Sequence, residues 1–120
     1  MVPGTLSLRR PHRLTKPSDY QAVFRNGRRF ADSRFVILVR PNGLEHARLG
    51  LAIARRNVPT AVARNRVKRI VRESFRLHRA SLPAVDVVVM AQREAATADR
   101  KAMAESLARH WTKIAACKAH

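Results

Sequence analysis

The sequence predicts an α+β fold, a sandwich of helices on a four-stranded sheet in the order α-β-β-β-α-β-α. Three observations carry that expectation. In residues 61–76, Val67, Ile70, Val71, Ser74 and Phe75 fall at i, i+3, i+4, i+7 and i+8, which is one core-facing stripe of a helix. The β-branched, apolar run at 35–39, the alternation of large and small residues at 49–54 and the valine-rich run at 85–91 each have strand length. Near the C-terminus, Met103, Leu107, Trp111 and Ile114 form a second helical stripe.

The elements follow in order. Residues 1–13 carry Arg9, Arg10 and Arg13 with Pro3, Pro11 and no acid, and read as a flexible basic arm before a single domain at 14–120. Ser18 sits where an N-cap belongs, after Pro17 and before Asp19. The helix it opens runs to about Asn26, with Asn26-Gly27 as its stop, and Tyr20, Val23 and Phe24 share one face. A short strand begins at Phe30-Ala31, turns at Asp32-Ser33 and leads into the strand Phe35–Val39. Pro41-Asn42-Gly43 opens a loop, and Leu49–Ala54 is the next strand. There Leu49, Leu51 and Ile53 make a large apolar face, while Gly50, Ala52 and Ala54 make a small one that a helix or a ligand backbone can approach closely. Thr60, after Pro59, is placed to cap the basic helix, which ends before Pro83. Val85–Ala91 is largely valine, as a central buried strand would be. The last helix spans about Ala98 to Lys118.

The charge balance points to a partner. Lys and Arg number 25 against 8 Asp and Glu, a formal net charge of +17 on 120 residues. Such a field favours a nucleic acid over an anionic membrane surface. It also repels itself, so salt or a polyanion should stabilise the fold. No apolar run reaches the ~18 residues of a spanning helix, and the first ten residues lack the apolar core of a signal peptide. Cys117 stands alone, which excludes an internal disulfide and a cysteine-based zinc site. Cytoplasmic residence is the expectation, with no membrane and no obligate protein partner.

Catalytic arrangements are not evident. The acids, Asp19, Asp32, Glu45, Glu73, Asp86, Glu94, Asp99 and Glu105, are scattered, whereas two-metal nucleases need convergent carboxylates. His12, His46, His78, His110 and His120 read as isolated and solvent-exposed. No residue is assigned a catalytic role, and no metal ligand is assigned.

The basic helix carries the functional signal. Arg64, Lys68 and Arg72 stack at i, i+4 and i+8, and Asn65, Arg69 and Arg76 widen that face. Glu73 is the only acid between 61 and 76. The pattern Ala61-Val62-x-Arg64-Asn65-Arg66-x-Lys68-Arg69-x-x-Arg72-Glu73-x-Phe75-Arg76 closely resembles the signature of the protein subunit of bacterial ribonuclease P. Arg13-Leu14 with Tyr20, Phe24 and Gly27 resembles that family's first helix, and Arg48-Leu49-Gly50-Leu51 with Arg55-Arg56 resembles the strand before the signature. The likeness runs over about residues 12–117.

The resemblance implies a left-handed β-α-β crossover around the signature helix, against the usual right-handed rule. It implies a protein that assists a catalytic RNA, which with Mg²⁺ removes the 5′ leader of precursor tRNA. Arg64, Asn65, Arg66, Lys68, Arg69, Arg72 and Arg76 are then expected to contact the ribonuclease P RNA, and Tyr20, Phe24, Arg55 and Arg56 to line a cleft for the leader. Cations suit phosphates and aromatic faces suit unpaired bases. Tyr20 stands where the family often has phenylalanine, and Val58-Pro59-Thr60 replaces a glycine-containing turn. The rival reading is a structural RNA-binding protein such as a small ribosomal protein; a stand-alone nuclease lacks its carboxylates.

Overall fold

The computed structural model describes residues 12–117. The element order is α1 (Pro17–Asn26), β1 (Arg28–Ala31), β2 (Phe35–Pro41), β3 (Arg48–Ala52), α2 (Ala61–His78), β4 (Val85–Ala91), α3 (Arg93–Thr97) and α4 (Arg100–Ala116), with a 3-10 turn at Arg79–Ser81. The expected α-β-β-β-α-β-α order stands, with the short α3 added before the last helix. Residues 1–11, most of the expected basic arm, lie outside the described residues. Arg13, at the end of that range, bridges to Leu49, and the Leu14 N–H donates to the Leu49 carbonyl at 2.9 Å.

The sheet order is β1-β2-β4-β3. β2 pairs antiparallel with β1 and β4, while β3 and β4 pair in parallel. A parallel pair needs a long crossover, and α2 supplies it. β4 is hydrogen-bonded on both sides, which accounts for its valine run.

Pleating divides the apolar residues between two faces. Phe35, Ile37 and Val39 of β2, with Val85, Val87 and Val89 of β4 and Leu49 of β3, join the main core with α2 and α4. The residues that α2 buries are Val67, Ile70, Val71, Ser74 and Phe75, the stripe read from the sequence. Ser74 belongs there because its Oγ accepts the Trp111 Nε1–H at 2.8 Å, and the Trp111 ring meets Phe75 edge-on at 5.7 Å. On the opposite face Val88 packs with Leu14 and Val23, bordered by Tyr20, Leu38 and Ala52. Burying each such side chain contributes about 1.5–3 kcal/mol.

Several local expectations need correction. The N-cap position of α1 falls on Lys16, whose side chain makes no capping bond, and not on Ser18, because Pro17 takes the first helical position, where its fixed φ suits the helix and its missing N–H costs nothing. Gly27 ends α1 in extended backbone (φ −74°), not in the left-handed form. Glycine is needed there because a Cβ would stand 2.4 Å from the Val23 carbonyl oxygen. β1 starts at Arg28 rather than Phe30, and β3 ends at Ala52. Beyond it the Ala54 carbonyl accepts the N–H groups of Asn57 and Val58, which turns the chain toward α2. Thr60 caps α2 by accepting the Ala63 N–H at 3.1 Å, as expected. Asp99 caps α4, which therefore begins at Arg100.

The histidines are neither all exposed nor all isolated. The His12 and His46 rings meet edge-on at 4.9 Å. His110 is only 2% exposed, because it falls on the apolar side of α4 beside Leu107 and Trp111. Its Nε2 lies 3.1 Å from Asp32 Oδ2, which also accepts the Ser106 hydroxyl. Asp32 Oδ1 accepts the N–H groups of Arg34 and Phe35, both at 2.8 Å. Burial alone would raise the Asp32 pKa, but the bonds from Ser106, Phe35 and Arg34 and the nearby His110 bring it down to about 2. Burial lowers the His110 pKa, more than the Asp32 carboxylate raises it.

Candidate nucleic-acid interface

A groove of about 310 Å³ follows the outer edge of β3. Arg13, Leu14 and Thr15 line it before α1, Tyr20 from α1, Leu49 and Leu51 from β3, and Lys68 and Arg72 from α2. It has three cations, one aromatic ring and no acid along its walls. The small side of β3 makes it possible: a Cβ on Gly50 would stand 2.8 Å from Tyr20 Cε2 and 2.9 Å from Leu14 Cδ1. Tyr20 therefore packs directly against the edge strand. Its hydroxyl accepts the Leu51 N–H at 3.3 Å, satisfying a backbone donor that an edge strand would otherwise leave open.

The strand beneath is held at its start by charge. Arg48 donates two hydrogen bonds to Asp86, Nε to Oδ1 at 2.8 Å and Nη2 to Oδ2 at 2.7 Å, and lies 3.7 Å from Asp19 of α1. Asn42 Nδ2 also donates to Asp86 Oδ1 at 3.0 Å. Hydrogen bonding to Asp86 raises the Arg48 pKa against the opposing effect of burial. This pair fixes β3, β4 and α1 together, and so fixes the groove.

The signature residues of α2 divide by what their side chains do. Asn65, Arg69 and Arg72 are exposed, and Lys68 is half-buried along the groove. Arg64 Nη1 donates to the carbonyls of Val58 and Pro59, at 3.1 and 2.8 Å. Arg66 Nη2 donates to the Ala98 carbonyl at 3.0 Å. Arg76 is half-buried, and its Nε meets no hydrogen-bonding partner among the described residues. Thus two of the arginines reach back to the protein's own backbone, while Asn65, Lys68, Arg69 and Arg72 turn their heads outward or into the groove.

The residues expected to form a leader cleft are only partly gathered. Tyr20 lines the groove, and it does so beside Lys68 and Arg72, which were expected at a different RNA. Phe24 does not line it; the residue is 47% exposed, so it is not a core residue. Arg55 and Arg56 are exposed in the turn between β3 and α2. Sequence reasoning missed Arg13, Thr15 and Leu51 as groove residues, along with the Arg48–Asp86 pair. A lone acid inside the Val85–Ala91 run was the available signal for that pair, since a buried carboxylate needs a partner.

Among the described residues no three His, Cys, Asp or Glu side chains come together to hold a metal ion. None of the described helices is long and apolar enough to cross a membrane.

Comparison with known proteins decides between the readings of this basic surface. The family model "Ribonuclease P" matches residues 8–115. The chain belongs to the ribonuclease P protein family. It is 45% identical over 111 residues to the ribonuclease P protein component of Methylococcus capsulatus, covering 92% of this chain and 87% of the relative. The ribonuclease P protein component of Escherichia coli strain K12 is 43% identical over 106 residues, with 88% and 89% covered. Among solved structures, the Staphylococcus aureus RNase P protein superposes with a TM-score of 0.79 at 32% identity, covering 88% of this chain and 95% of that one. The Thermotoga maritima RNase P protein gives 0.77 at 31% identity, covering 85% and 96%. Membership of the ribonuclease P family displaces the small ribosomal protein as the account of the surface, and the family's four-stranded α+β architecture is the one seen here.

Proposed function

We propose that this chain works as the RNA-binding protein subunit of cytoplasmic ribonuclease P, holding the catalytic RNA and the 5′ leader of precursor tRNA while the RNA, with Mg²⁺, hydrolyses the phosphodiester bond that frees the leader. The observation that carries the reading is the outer surface of α2 and the groove beside it. There Asn65, Lys68, Arg69 and Arg72 present donors to phosphate and no acid faces them across the groove. These residues would contact the catalytic RNA, Arg64 and Arg66 contributing whatever donors their carbonyl bonds leave spare, and Arg76 flanking them. An unpaired leader strand would cross by the Tyr20 ring, with Phe24 offering a second exposed face and Arg55 and Arg56 neutralising its backbone. In this reading Mg²⁺ is held by the catalytic RNA, and the protein binds and positions RNA without contributing a group to the bond-breaking step.

Pull-down of the protein followed by sequencing of bound RNA tests the assignment. One abundant catalytic RNA is expected, and recovery of ribosomal RNA instead would favour the structural rival. Purified protein free of RNA, incubated with precursor tRNA and Mg²⁺, should release no leader. Specific 5′ cleavage by that preparation would overturn the division of labour.

A further inference from the structure

We infer that Arg64 is a positioning residue that braces the β3–α2 turn, so that one side chain joins the catalytic-RNA surface to the leader-binding surface. The inference rests on the function proposed above. Its geometry is independent of it. Residues 55–60 have no regular structure of their own, yet they carry Arg55 and Arg56, the exposed cations nearest the end of β3. Four bonds fold this turn. The N–H groups of Asn57 and Val58 converge on the Ala54 carbonyl, at 3.1 and 3.0 Å. Asn57 Nδ2 reaches the carbonyl of Ala91 at the end of β4, at 3.0 Å. Thr60 caps the helix.

These contacts leave the Val58 and Pro59 carbonyls pointing at the first turn of α2. Arg64 takes both with the same Nη1, at 3.1 and 2.8 Å. Bonds from a charged donor are stronger than neutral ones, and the planar guanidinium fixes their direction. Both carbonyls lie in the irregular segment before the helix, outside any strand ladder. Arg64 thereby closes the turn onto the helix and sets where Arg55 and Arg56 stand. Because Nη1 serves the turn, Nε and Nη2 remain free to meet a phosphate. A lysine would keep the charge, but its single nitrogen could not serve the turn carbonyls and a phosphate from separate donors.

The test uses the full chain with three variants at this position and its neighbour. Amide hydrogen exchange in the free protein should become about tenfold faster at Asn57 and Val58 in Arg64→Ala, and faster also in Arg64→Lys, while amides in the middle of β4 hold. Lys68→Ala, the control for loss of one cation, should leave the turn amides unchanged. In the reconstituted enzyme, Arg64→Lys should keep the salt slope for the catalytic RNA. It should still lose about tenfold of the extra affinity that a leader confers. Unchanged exchange at Asn57 and Val58 in both Arg64 variants would overturn the brace. Wild-type leader dependence in Arg64→Lys would overturn its link to the substrate strand. If the wild-type enzyme itself shows no leader dependence, the failure lies with the proposed function, and the exchange result stands alone.

Discussion

Replacing Lys68 and Arg72 together by alanine should weaken RNA binding while sparing the fold. The two cations are four residues apart on α2, off the buried stripe, and share the wall of the β3 groove. Like charges at that spacing cost an isolated helix about 0.2–0.5 kcal/mol. Removing both should therefore hold the melting temperature or raise it slightly, less whatever packing the half-buried Lys68 stem supplies. RNA affinity should move the other way. Each lost phosphate contact lowers the slope of log affinity against log salt by about 0.7–0.9, so the double variant should flatten it by about 1.4–1.8. Between about 50 and 200 mM salt, wild-type protein should then lose roughly tenfold more affinity than the variant. Binding to the catalytic RNA, titrated at several salt concentrations alongside thermal melts, reads both effects. The charge-conserving exchange Lys68→Arg with Arg72→Lys should restore the slope. A folded double-alanine variant with the wild-type slope would show that phosphates dock elsewhere on the protein.

Four further variants test the same geometry. Tyr20→Phe keeps the ring but strips the Leu51 N–H of its acceptor, so denaturant unfolding should register a loss of about 1 kcal/mol while leader affinity changes little. Arg48→Met strands the buried Asp86 carboxylate and should cost about 3 kcal/mol in the same assay. Arg100→Ala, which breaks the exposed pair with Glu73, should cost less than about 1 kcal/mol. The His110 pKa is lowered from 6.5 in the fold, so the unfolded chain binds the extra proton. Stability should fall as pH drops through about 6.5 and level off above it, and His110→Gln should flatten that limb when unfolding is followed at stepped pH. The Asp32 contribution, with a folded pKa of about 2 against 3.8, is complete above 3.8 and is lost only as pH falls toward 2.

What could be read from the sequence was set by local periodicity. The stripe of α2, the cap at Thr60, the strand Val85–Ala91 and the packing face of α4 depend on neighbours within two turns of helix or one strand length, and each is where the sequence places it. The errors fall where a distant partner or a steric contact decides. Arg48 and Asp86 are 38 residues apart, and no local pattern joins them. His110 looks like a surface histidine until its spacing from Leu107 and Trp111 is counted, and its Asp32 partner comes from the far β1–β2 turn. Asn26-Gly27 reads as a left-handed stop, yet the glycine serves to clear the Val23 carbonyl. For the site, residue types were legible, but grouping was not. Tyr20 and Lys68 were assigned to different RNAs and line one groove, because only the crossing of α1 over Gly50 brings them together.

The fate of the acids explains why so basic a surface survives in a folded protein. Of the 8, five are committed to internal bonds: Asp19 and Asp86 to Arg48, Asp32 to Ser106 and its turn, Glu73 to Arg100, and Asp99 to the α4 cap. These hold elements in place and take negative charge away from the outer face of α2. Asn65, Arg69 and Arg72 are exposed, and the one acid on α2, Glu73, is paired with Arg100. The carboxylates that stabilise the fold are thus withheld from the surface that repels itself, and a polyanion must supply what they do not. Binding and stability are then linked. RNA at a hundred times its Kd should add about 2.7 kcal/mol to the folded state, and added salt, which screens both the repulsion and the RNA, should reduce that increment while raising the stability of the free protein.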